Sequence, residues 1–443
     1  NRSIIIKMIQ KGKTYYFLGI GGIGMSSLAK HLFDLGNKVM GYDKTPSAIT
    51  SNLADMGIRV VFETSISAIP EDFCQQDTQV IYTPAVPSEH PQFQFFRTQG
   101  NVIKKRAVVL GEITQDSTVF AIAGTHGKTT TASFLTQLFA HLNLEFTAFL
   151  GGIMNQYQSN IIQKGSRYSI VEADEYDRSF LQLYPDFACV TAMDVDHLDI
   201  YGDYANMKKA FVKFSKRVTQ EMVIAQGVDL NGISYAVEGK ASYCAQNIST
   251  SEQGYQFDLV TPSQIYDNIY LKAIGKHNLS NAIGALAILD IAGFSISEAL
   301  PALGNFEGIH RRMDVFSLYD KLIIDDYAHH PEEIKAVLNT VSEFYPNKKN
   351  MVVFQPHLFS RTQDFMEGFV EVLDKFDEIV LMDIYPAREQ PIPGVNSDLL
   401  LDLIKNQNKR KISEKDFQNT LSQSTAELIL VLGAGDIGKH IQK

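Results

Sequence analysis

One short segment, at residues 124–131, constrains the fold of this chain more than any other. It follows an apolar run at residues 118–123 and precedes a helical pattern at residues 132–142. A strand, a glycine-bearing turn and a Lys-Thr pair that opens a helix direct backbone N–H groups and the positive helix terminus towards phosphate. Further strand patterns alternate with helical ones along the chain, so we expect an α/β fold with mostly parallel sheets.

The chemistry of this loop depends on two side chains. Lys128 would supply a point charge to the β and γ phosphates of ATP, and the Thr129 hydroxyl would bind a Mg²⁺ ion that bridges them. The full pattern GxxxxGK[ST] has glycine where this chain has Ile122, so the loop is a variant. The alternative is a glycine turn followed by a helix that threonines cap. We favour nucleotide binding, with contacts from Gly124, Thr125, His126, Gly127, Lys128, Thr129 and Thr130.

Two acidic segments follow later strands of the same predicted sheet. Residues 172–177 contain four acids, and residues 194–199 include His197 among further carboxylates. Carboxylates at a strand end repel each other unless a cation compensates them. Oxygen ligands with one imidazole suit Mg²⁺ or Mn²⁺ better than zinc. Either segment alone is explained equally well by a solvated loop, but together, beside the phosphate loop, they favour a metal site.

A second glycine-rich loop lies near the N-terminus. Residues 19–24 fit GxGxxG between a strand pattern and a helical run, and Asp43 lies roughly 20 residues further on, at the next strand end. Alone, this loop indicates a dinucleotide-binding dehydrogenase, but any diphosphate would satisfy the same amides, including that of a nucleotide sugar. The expected crevice residues are Gly21, Gly22, Ile23, Gly24, Met25, Asp43 and, in the turn after residues 79–82, Thr83, Pro84 and Ala85.

The length of the chain exceeds what one compact core accommodates. With 443 residues, we expect three domains. A new strand-loop-helix unit begins near residue 118, and a third α/β pattern follows the segment at residues 308–312. The predicted domains are 1–115, 116–309 and 310–443.

Composition excludes some partners. The formal charge of −10 argues against a nucleic-acid surface, because phosphate backbones require concentrated positive charge. No apolar run approaches the roughly 18 residues that span a bilayer, so we expect a cytoplasmic protein with no membrane segment.

The cysteines lie far apart in sequence and form no CxxC pair, which favours buried, reduced thiols. They are Cys74, Cys189 and Cys244.

These elements, in this order, resemble the Mur ligases from about residue 14 to the C-terminus. The matching segments are residues 19–26, 124–131, 172–175, 196–199, 275–282, 325–331, 355–362 and 383–389. The resemblance implies an N-terminal Rossmann-like domain for UDP-N-acetylmuramate, a central P-loop ATPase domain, and a C-terminal Rossmann-like domain for the amino acid. It is closest to the alanine-adding branch, so it implies ATP, Mg²⁺ (or Mn²⁺) and L-alanine as further reactants, and amide formation through an acyl phosphate.

The resemblance also implies roles for individual residues. Glu172 and His197 would join Thr129 as metal ligands. The ATP base and ribose would be held by His277, Asn278 and Asn281, and Arg311 or Arg312 would reach the phosphates on domain closure. The alanine side would consist of Asp326, Tyr327, His330, His357 and Arg361. The expected catalytic residues are Lys128, His197, Asp326, His330 and Arg361, and we expect a monomer or homodimer.

One departure keeps an alternative open. Tyr176 stands where the alanine branch often carries serine, and it resembles the recycling ligase that attaches a whole tripeptide to the same nucleotide sugar. Residues 355–362 and 386–389, in contrast, resemble the alanine branch. A dehydrogenase and a non-catalytic nucleotide-binding protein are the remaining alternatives.

Overall fold

The computed structural model describes residues 12–194, 201, 203–251, 253–387 and 389–441. Its strands form three sheets, of five, ten and six strands, with helices between them. The predicted α/β class is therefore confirmed. Within the described part of the chain, no helix combines the length and apolarity needed to cross a bilayer.

The described residues fall into two compact units. One contains those up to Ile248 together with Phe257–Leu271 and His277–Phe306. The other contains Ser249–Gln256, Lys272–Lys276 and those from Glu307 onwards.

The first sheet is parallel and has the order β3-β2-β1-β4-β5. Its central strands are buried because helices cover both faces. The order reverses between β1 and β4, so the loops after these two strands flank one crevice. The strands are β1 (Thr14–Leu18), β2 (Lys38–Tyr42), β3 (Arg59–Val61), β4 (Gln79–Tyr82) and β5 (Ile103–Lys105). The helices are α1 (Ile23–Asp34), α2 (Ala48–Asp55), α3 (Pro91–Gln99) and α4 (Arg106–Thr114).

The second sheet has the order β15-β14-β13-β12-β11-β10-β6-β9-β7-β8. Strand β6 is parallel to both β9 and β10, so the loops after these three strands meet at one edge. The strands are β6 (Thr118–Ala123), β7 (Phe146–Met154), β8 (Ser159–Gln163), β9 (Tyr168–Ala173), β10 (Phe187–Val190), β11 (Glu221–Ala225), β12 (Ile233–Ala236), β13 (Tyr243–Ser251), β14 (Gly254–Val260) and β15 (Ile265–Leu271). The helices are α5 (Lys128–His141), α6 (Tyr204–Ser215), α7 (Lys276–Ile291), α8 (Ile296–Ala299) and α9 (Pro301–Gly304).

The third sheet has the order β16-β17-β21-β18-β19-β20, and only the β16–β17 pair among its described pairings is antiparallel. The carboxyl ends of β17, β18 and β21 therefore share an edge. The strands are β16 (Asp314–Leu318), β17 (Lys321–Asp326), β18 (Asn350–Phe354), β19 (Glu378–Leu381), β20 (Lys409–Lys411) and β21 (Leu428–Leu432). The helices are α10 (Pro331–Phe344), α11 (Phe359–Asp364), α12 (Met366–Leu373), α13 (Ser397–Leu403) and α14 (Phe417–Gln423).

The cysteine prediction is correct in two of three cases. All three thiols are free, and Cys189 and Cys244 are buried. Cys74 is only half-buried, because it follows a short 3₁₀ turn at Glu71–Phe73 that has no buried residue.

Candidate active site

The phosphate loop joins β6 to α5 in the predicted strand-loop-helix order. Gly124 and Gly127 have φ values of 136° and 81°, which L side chains rarely adopt. Gly127 is the N-cap of α5, and no side chain caps the helix. The alternative of a threonine-capped helix is therefore wrong, and the first amides of α5 lack intrahelical acceptors. The loop has the backbone features of an anion-binding helix start.

Asn281 packs directly against this loop. A Cβ atom at Gly127 would lie 2.5 Å from the Asn281 Oδ1 atom, so only glycine fits there. The same Oδ1 accepts a hydrogen bond from the Thr131 hydroxyl, at 3.2 Å. Asn278 is buried on α7 like Asn281, whereas His277 is exposed. The structure thus brings Asn281, which the sequence places about 150 residues away, beside the phosphate loop.

Lys128 forms a buried ion pair that the sequence did not reveal. Its Nζ atom donates to both carboxylate oxygens of Glu175, at 2.9 and 2.7 Å, and to the Gly124 carbonyl at 2.6 Å. The Glu175 side chain is 0% exposed and that of Lys128 is 16% exposed. Glu175 is therefore the counter-charge of the loop lysine in this structure.

Thr129 and Glu172 form the described part of the predicted metal site. The Thr129 hydroxyl donates to Glu172 Oε2 at 2.9 Å, and the Gly151 amide donates to Oε1. A hydroxyl beside a carboxylate is a donor set that fits a hard cation such as Mg²⁺. The proposed third ligand, His197, lies outside the described residues.

The expectation that a metal compensates the acids of residues 172–177 needs correction. Lysines compensate two of them, since Lys128 pairs with Glu175 and Lys105 pairs with Asp177 at 2.7 Å. Both lysines come from other elements, which is why the local sequence did not show these pairs. Glu172 remains the acid that faces the Thr129 hydroxyl.

The N-terminal glycine loop lies in the crevice between β1 and β4. The Gly21 amide donates to Asp43 Oδ2 at 2.7 Å, so Asp43 fixes the loop. The Thr83 amide donates to the Leu18 carbonyl at 3.3 Å, which holds the turn containing Pro84 and Ala85 beside the loop. Met25 is 2% exposed and belongs to the apolar core, so it supports the loop from beneath.

Arg106 is a candidate site residue that the sequence analysis missed. A Cβ atom at Gly24 would lie 3.0 Å from Arg106 Nη1 and 3.2 Å from Cζ, so the guanidinium group rests against the first turn of α1. The guanidinium group of Arg106 forms no hydrogen bond or ion pair with any other described residue. The only sequence signal was an arginine at the end of the β5 strand pattern, and that signal is weak.

The neighbouring residues Arg311 and Arg312 differ in their contacts and in their exposure. Arg311 is committed within its own unit: its guanidinium donates to the Gly435 carbonyl at 2.8 Å and to the Gly433 carbonyl, and Nε lies 3.5 Å from Asp325 Oδ1. Arg312 is exposed, and its guanidinium carbon lies 5.7 Å from the centre of the Tyr327 ring. Arg312 is therefore the more exposed of the two arginines, and the phosphate contact of either one stays a prediction.

Asp326 is held at the carboxyl end of β17. Its carboxylate accepts from the Met313 amide at 2.7 Å and from the Ala328 amide at 2.8 Å. Burial raises the pKa of Asp326, while these hydrogen bonds and the charge of Arg312 act in the opposite direction. Asp326 thus links the segment around residue 313 to the loop after β17.

His330 has a structural contact that the sequence analysis did not assign. It is the N-cap of α10: its ring accepts from the Glu332 amide, and the Glu333 side chain accepts from the His330 amide. The His329 ring, which was not predicted, lies 5.6 Å from that of Tyr327 and 5.8 Å from that of His357. The sequence contained a signal for the N-cap role of His330, because the segment His-Pro-Glu-Glu combines proline at N1 with a glutamate at N3.

His357 and Arg361 form the centre of the predicted amino-acid site. Arg361 Nη1 lies 3.0 Å from His357 Nδ1, and the His357 ring stacks on Tyr385 at 5.7 Å. Burial, then the charge of Arg361 and then His329, lowers the pKa of His357 to about 4, with Glu389 opposing. His357 is therefore neutral near pH 7. Because Nδ1 accepts from Arg361, the ring proton is on Nε2.

His357 is expected to make stability pH-dependent. Its pKa is about 4 in the folded chain and near 6.5 when unfolded, so the unfolded chain binds more protons between these values. The free energy of unfolding should therefore decrease as the pH falls from about 6.5 towards 4. In His357→Asn this contribution is absent, and urea unfolding at pH 7, 6 and 5 should show a smaller decrease than in the wild type. Parallel decreases in the two proteins would contradict the assignment.

The geometry at Lys128 is that of a P-loop nucleotide-binding protein, and comparison with known proteins identifies the family. Three family models match consecutive segments of the chain: "Mur ligase family, catalytic domain" at residues 14–118, "Mur ligase middle domain" at 122–289, and "Mur ligase, glutamate ligase domain" at 311–436. The chain belongs to the Mur ligase family.

Similar proteins cover nearly the whole chain. It is 47% identical to the UDP-N-acetylmuramate–L-alanine ligase of Flavobacterium johnsoniae over 429 residues, which make up 96% of each chain. It is 41% identical to that of Porphyromonas gingivalis, covering 97% of each chain. The solved UDP-N-acetylmuramate-alanine ligase of Thermotoga maritima superposes with a TM-score of 0.85 at 30% identity, covering 96% of this chain and 97% of that chain. A murein peptide ligase of Psychrobacter arcticus shares the fold, with a TM-score of 0.68 at 20% identity over 97% of each chain.

Proposed function

We propose that this protein is an ATP-dependent ligase that joins L-alanine to the lactyl carboxylate of UDP-N-acetylmuramate. The products are UDP-N-acetylmuramoyl-L-alanine, ADP and phosphate, which places the reaction in peptidoglycan precursor synthesis. The observation that carries the proposal is the similarity to alanine ligases over nearly the full length, at up to 47% identity among the relatives compared. The phosphate loop around Lys128 supports the use of ATP.

In this proposal, three segments of the chain each bind one of the three substrates. Residues 1–115 bind the nucleotide sugar, with its diphosphate on the amides of the loop that Asp43 fixes. Residues 116–309 bind ATP, and residues 310–443 bind alanine. The substrates are small molecules, the protein has no nucleic-acid or membrane partner, and it acts in the cytoplasm as a monomer or homodimer.

The reaction requires activation, because an amine does not displace oxide from a carboxylate. The lactyl carboxylate attacks the γ-phosphoryl group of ATP, and the acyl phosphate that forms has a good leaving group. The amine of alanine then adds, and the tetrahedral intermediate expels phosphate to leave the amide. Lys128 and the amides of α5 stabilise the charge on the transferring phosphoryl group. Magnesium held by Thr129, Glu172 and, as we propose, His197 would neutralise the phosphate oxygens.

The alanine carboxylate is bound by Arg361, whose planar guanidinium group can bind it bidentately. His357 accepts from Arg361 through Nδ1 and so fixes its orientation. The neutral ring also has an Nε2–H group that can donate to the same carboxylate. A protonated His357 would repel Arg361, so the low pKa of His357 keeps the ring neutral and able to accept this hydrogen bond.

The test is phosphate release from ATP in the presence of Mg²⁺ and UDP-N-acetylmuramate, with L-alanine or L-Ala-γ-D-Glu-diaminopimelate as acceptor. We expect release with alanine only. Release with the tripeptide only would move the protein to the recycling branch. Absence of release with both, from a folded sample that binds ATP, would contradict a ligase function, and NAD(P) binding without ATP binding would indicate a dehydrogenase.

Arg106 is expected to contribute to binding of the nucleotide sugar. Arg106→Ala removes a guanidinium group next to the first turn of α1, and we expect the KM for UDP-N-acetylmuramate to rise about tenfold with little change in kcat. Arg97→Ala removes an equal charge from the exposed end of α3 and is the matched control. An unchanged KM in Arg106→Ala, measured by initial rates, would exclude Arg106 from the substrate site.

A further inference from the structure

The contacts of Lys128 show how its charge is held in this structure. A lysine ammonium group has three N–H donors. Three acceptors lie within 2.9 Å of Lys128 Nζ: the Gly124 carbonyl oxygen and the two carboxylate oxygens of Glu175. All three donors are therefore used before any phosphate arrives. A phosphate oxygen can reach the ammonium group only by replacing one of these acceptors.

Glu175 is held more rigidly than Lys128. Its side chain is fully buried, and its carbonyl oxygen accepts from the Tyr201 hydroxyl at 2.6 Å and from the Arg178 amide at 2.9 Å. The backbone then turns through left-handed conformations at Asp177 and Arg178. Lys128, in contrast, is 16% exposed and reaches Glu175 with a flexible four-carbon stem. When the contact changes, the lysine is the partner that can move.

We propose that Glu175 is a positioning residue for Lys128: it holds the ammonium group in the loop and competes with nucleotide phosphates for it. The competition lowers the affinity for nucleotide and returns Lys128 to the carboxylate as ADP leaves. Glu175 thus weakens nucleotide binding and thereby accelerates the release of ADP. The kinetic part of this inference rests on the proposed ligase function, whereas the binding part does not.

The affinity effect follows from electrostatics. In Glu175→Gln the shape of the side chain is retained, but the negative charge next to the phosphate site is removed. The unneutralised ammonium group then attracts phosphate more strongly, since unit charges a few ångströms apart interact much more strongly in such a partly buried site than in water. We expect ADP and ATP to bind about tenfold more tightly, which corresponds to about 1.4 kcal/mol.

The first measurement is the Kd of Mg-ADP for the full chain by titration calorimetry. Glu175→Gln should lower this Kd about tenfold, and Glu175→Asp, which keeps the charge, should stay nearer to the wild type. Asp177→Asn is the matched control, because it removes an equal charge two residues away. In the wild type, Asp177 pairs with Lys105 instead of Lys128, and asparagine tolerates the positive φ of this position. Its Kd should not change. Structural damage alone would weaken binding and so has the opposite sign.

A second measurement tests whether the effect passes through Lys128. In a Lys128→Met background, adding Glu175→Gln should not tighten ADP binding, because the ammonium group for which the carboxylate competes is absent. Steady-state kinetics of Glu175→Gln should show a lower KM for ATP together with a lower kcat limited by ADP release.

The outcomes separate this inference from the proposed function. A wild type that binds ADP while a folded Glu175→Gln binds it no more tightly overturns the competition. Equal tightening by Asp177→Asn also overturns it, since the effect would then be one of general charge. A wild-type chain that binds no nucleotide overturns the proposed function, and the competition with it.

Discussion

Lys128→Met is expected to lower ligase turnover by at least about 10³-fold, which is the scale on which a charge on a transferring phosphoryl group contributes. The substitution also leaves the fully buried Glu175 carboxylate without this cation. Removing one partner of a buried pair costs on the order of 3–5 kcal/mol of stability. Both effects are measurable on the same sample, by phosphate release and by chemical denaturation.

The double variant Lys128→Met/Glu175→Gln separates the two effects. Its buried pair is neutral, so its free energy of unfolding should recover most of what Lys128→Met loses. Turnover should remain as low as in the single variant, because the charge on the phosphoryl group is still missing. Recovery of activity together with stability would show that Lys128 is only a structural residue, and would contradict its role in the phosphate loop.

The backbone was largely predictable because the apolar runs are sharply bounded. The predicted segment at residues 79–82 coincides with β4, and the apolar run at 118–123 coincides with β6. A proline-containing turn ends the first, and a glycine follows the second. Glycine and proline act on the local chain, so their effect can be read without knowledge of the fold.

The pairing of charged residues was not predictable in the same way. Glu172 and Glu175 follow the same strand, yet one faces the Thr129 hydroxyl and the other binds Lys128. The choice depends on α5, which lies more than forty residues earlier in the chain. His330 is a different case, because the helix-capping pattern that follows it was visible in the sequence and indicates that its ring caps α10.

The neighbouring arginines Arg311 and Arg312 should give opposite phenotypes. Arg311→Met removes the guanidinium group that lies beside the fully buried Asp325 and donates to the carbonyls of Gly433 and Gly435. We expect the free energy of unfolding to fall by on the order of 3–5 kcal/mol, since a buried carboxylate and two carbonyl oxygens lose the guanidinium group that contacts them. Arg312→Met removes an exposed side chain whose charge acts on Asp326, so its loss of stability should be much smaller, about 1 kcal/mol or less.

For ligase activity, we expect a direct effect from Arg312→Met, the variant that affects stability less. If Arg312 contacts the phosphates of ATP, Arg312→Met should raise the KM for ATP or lower kcat by about tenfold or more, while the free energy of unfolding changes little. The variant Arg311→Met/Asp325→Asn removes both members of the buried pair and should be more stable than Arg311→Met alone. Recovery of stability in the double variant would assign the loss to the missing interaction between Arg311 and Asp325. A stable Arg311→Met with impaired ATP kinetics would instead mean that Arg311 leaves its contacts to bind phosphate, and would exchange the roles of the two arginines.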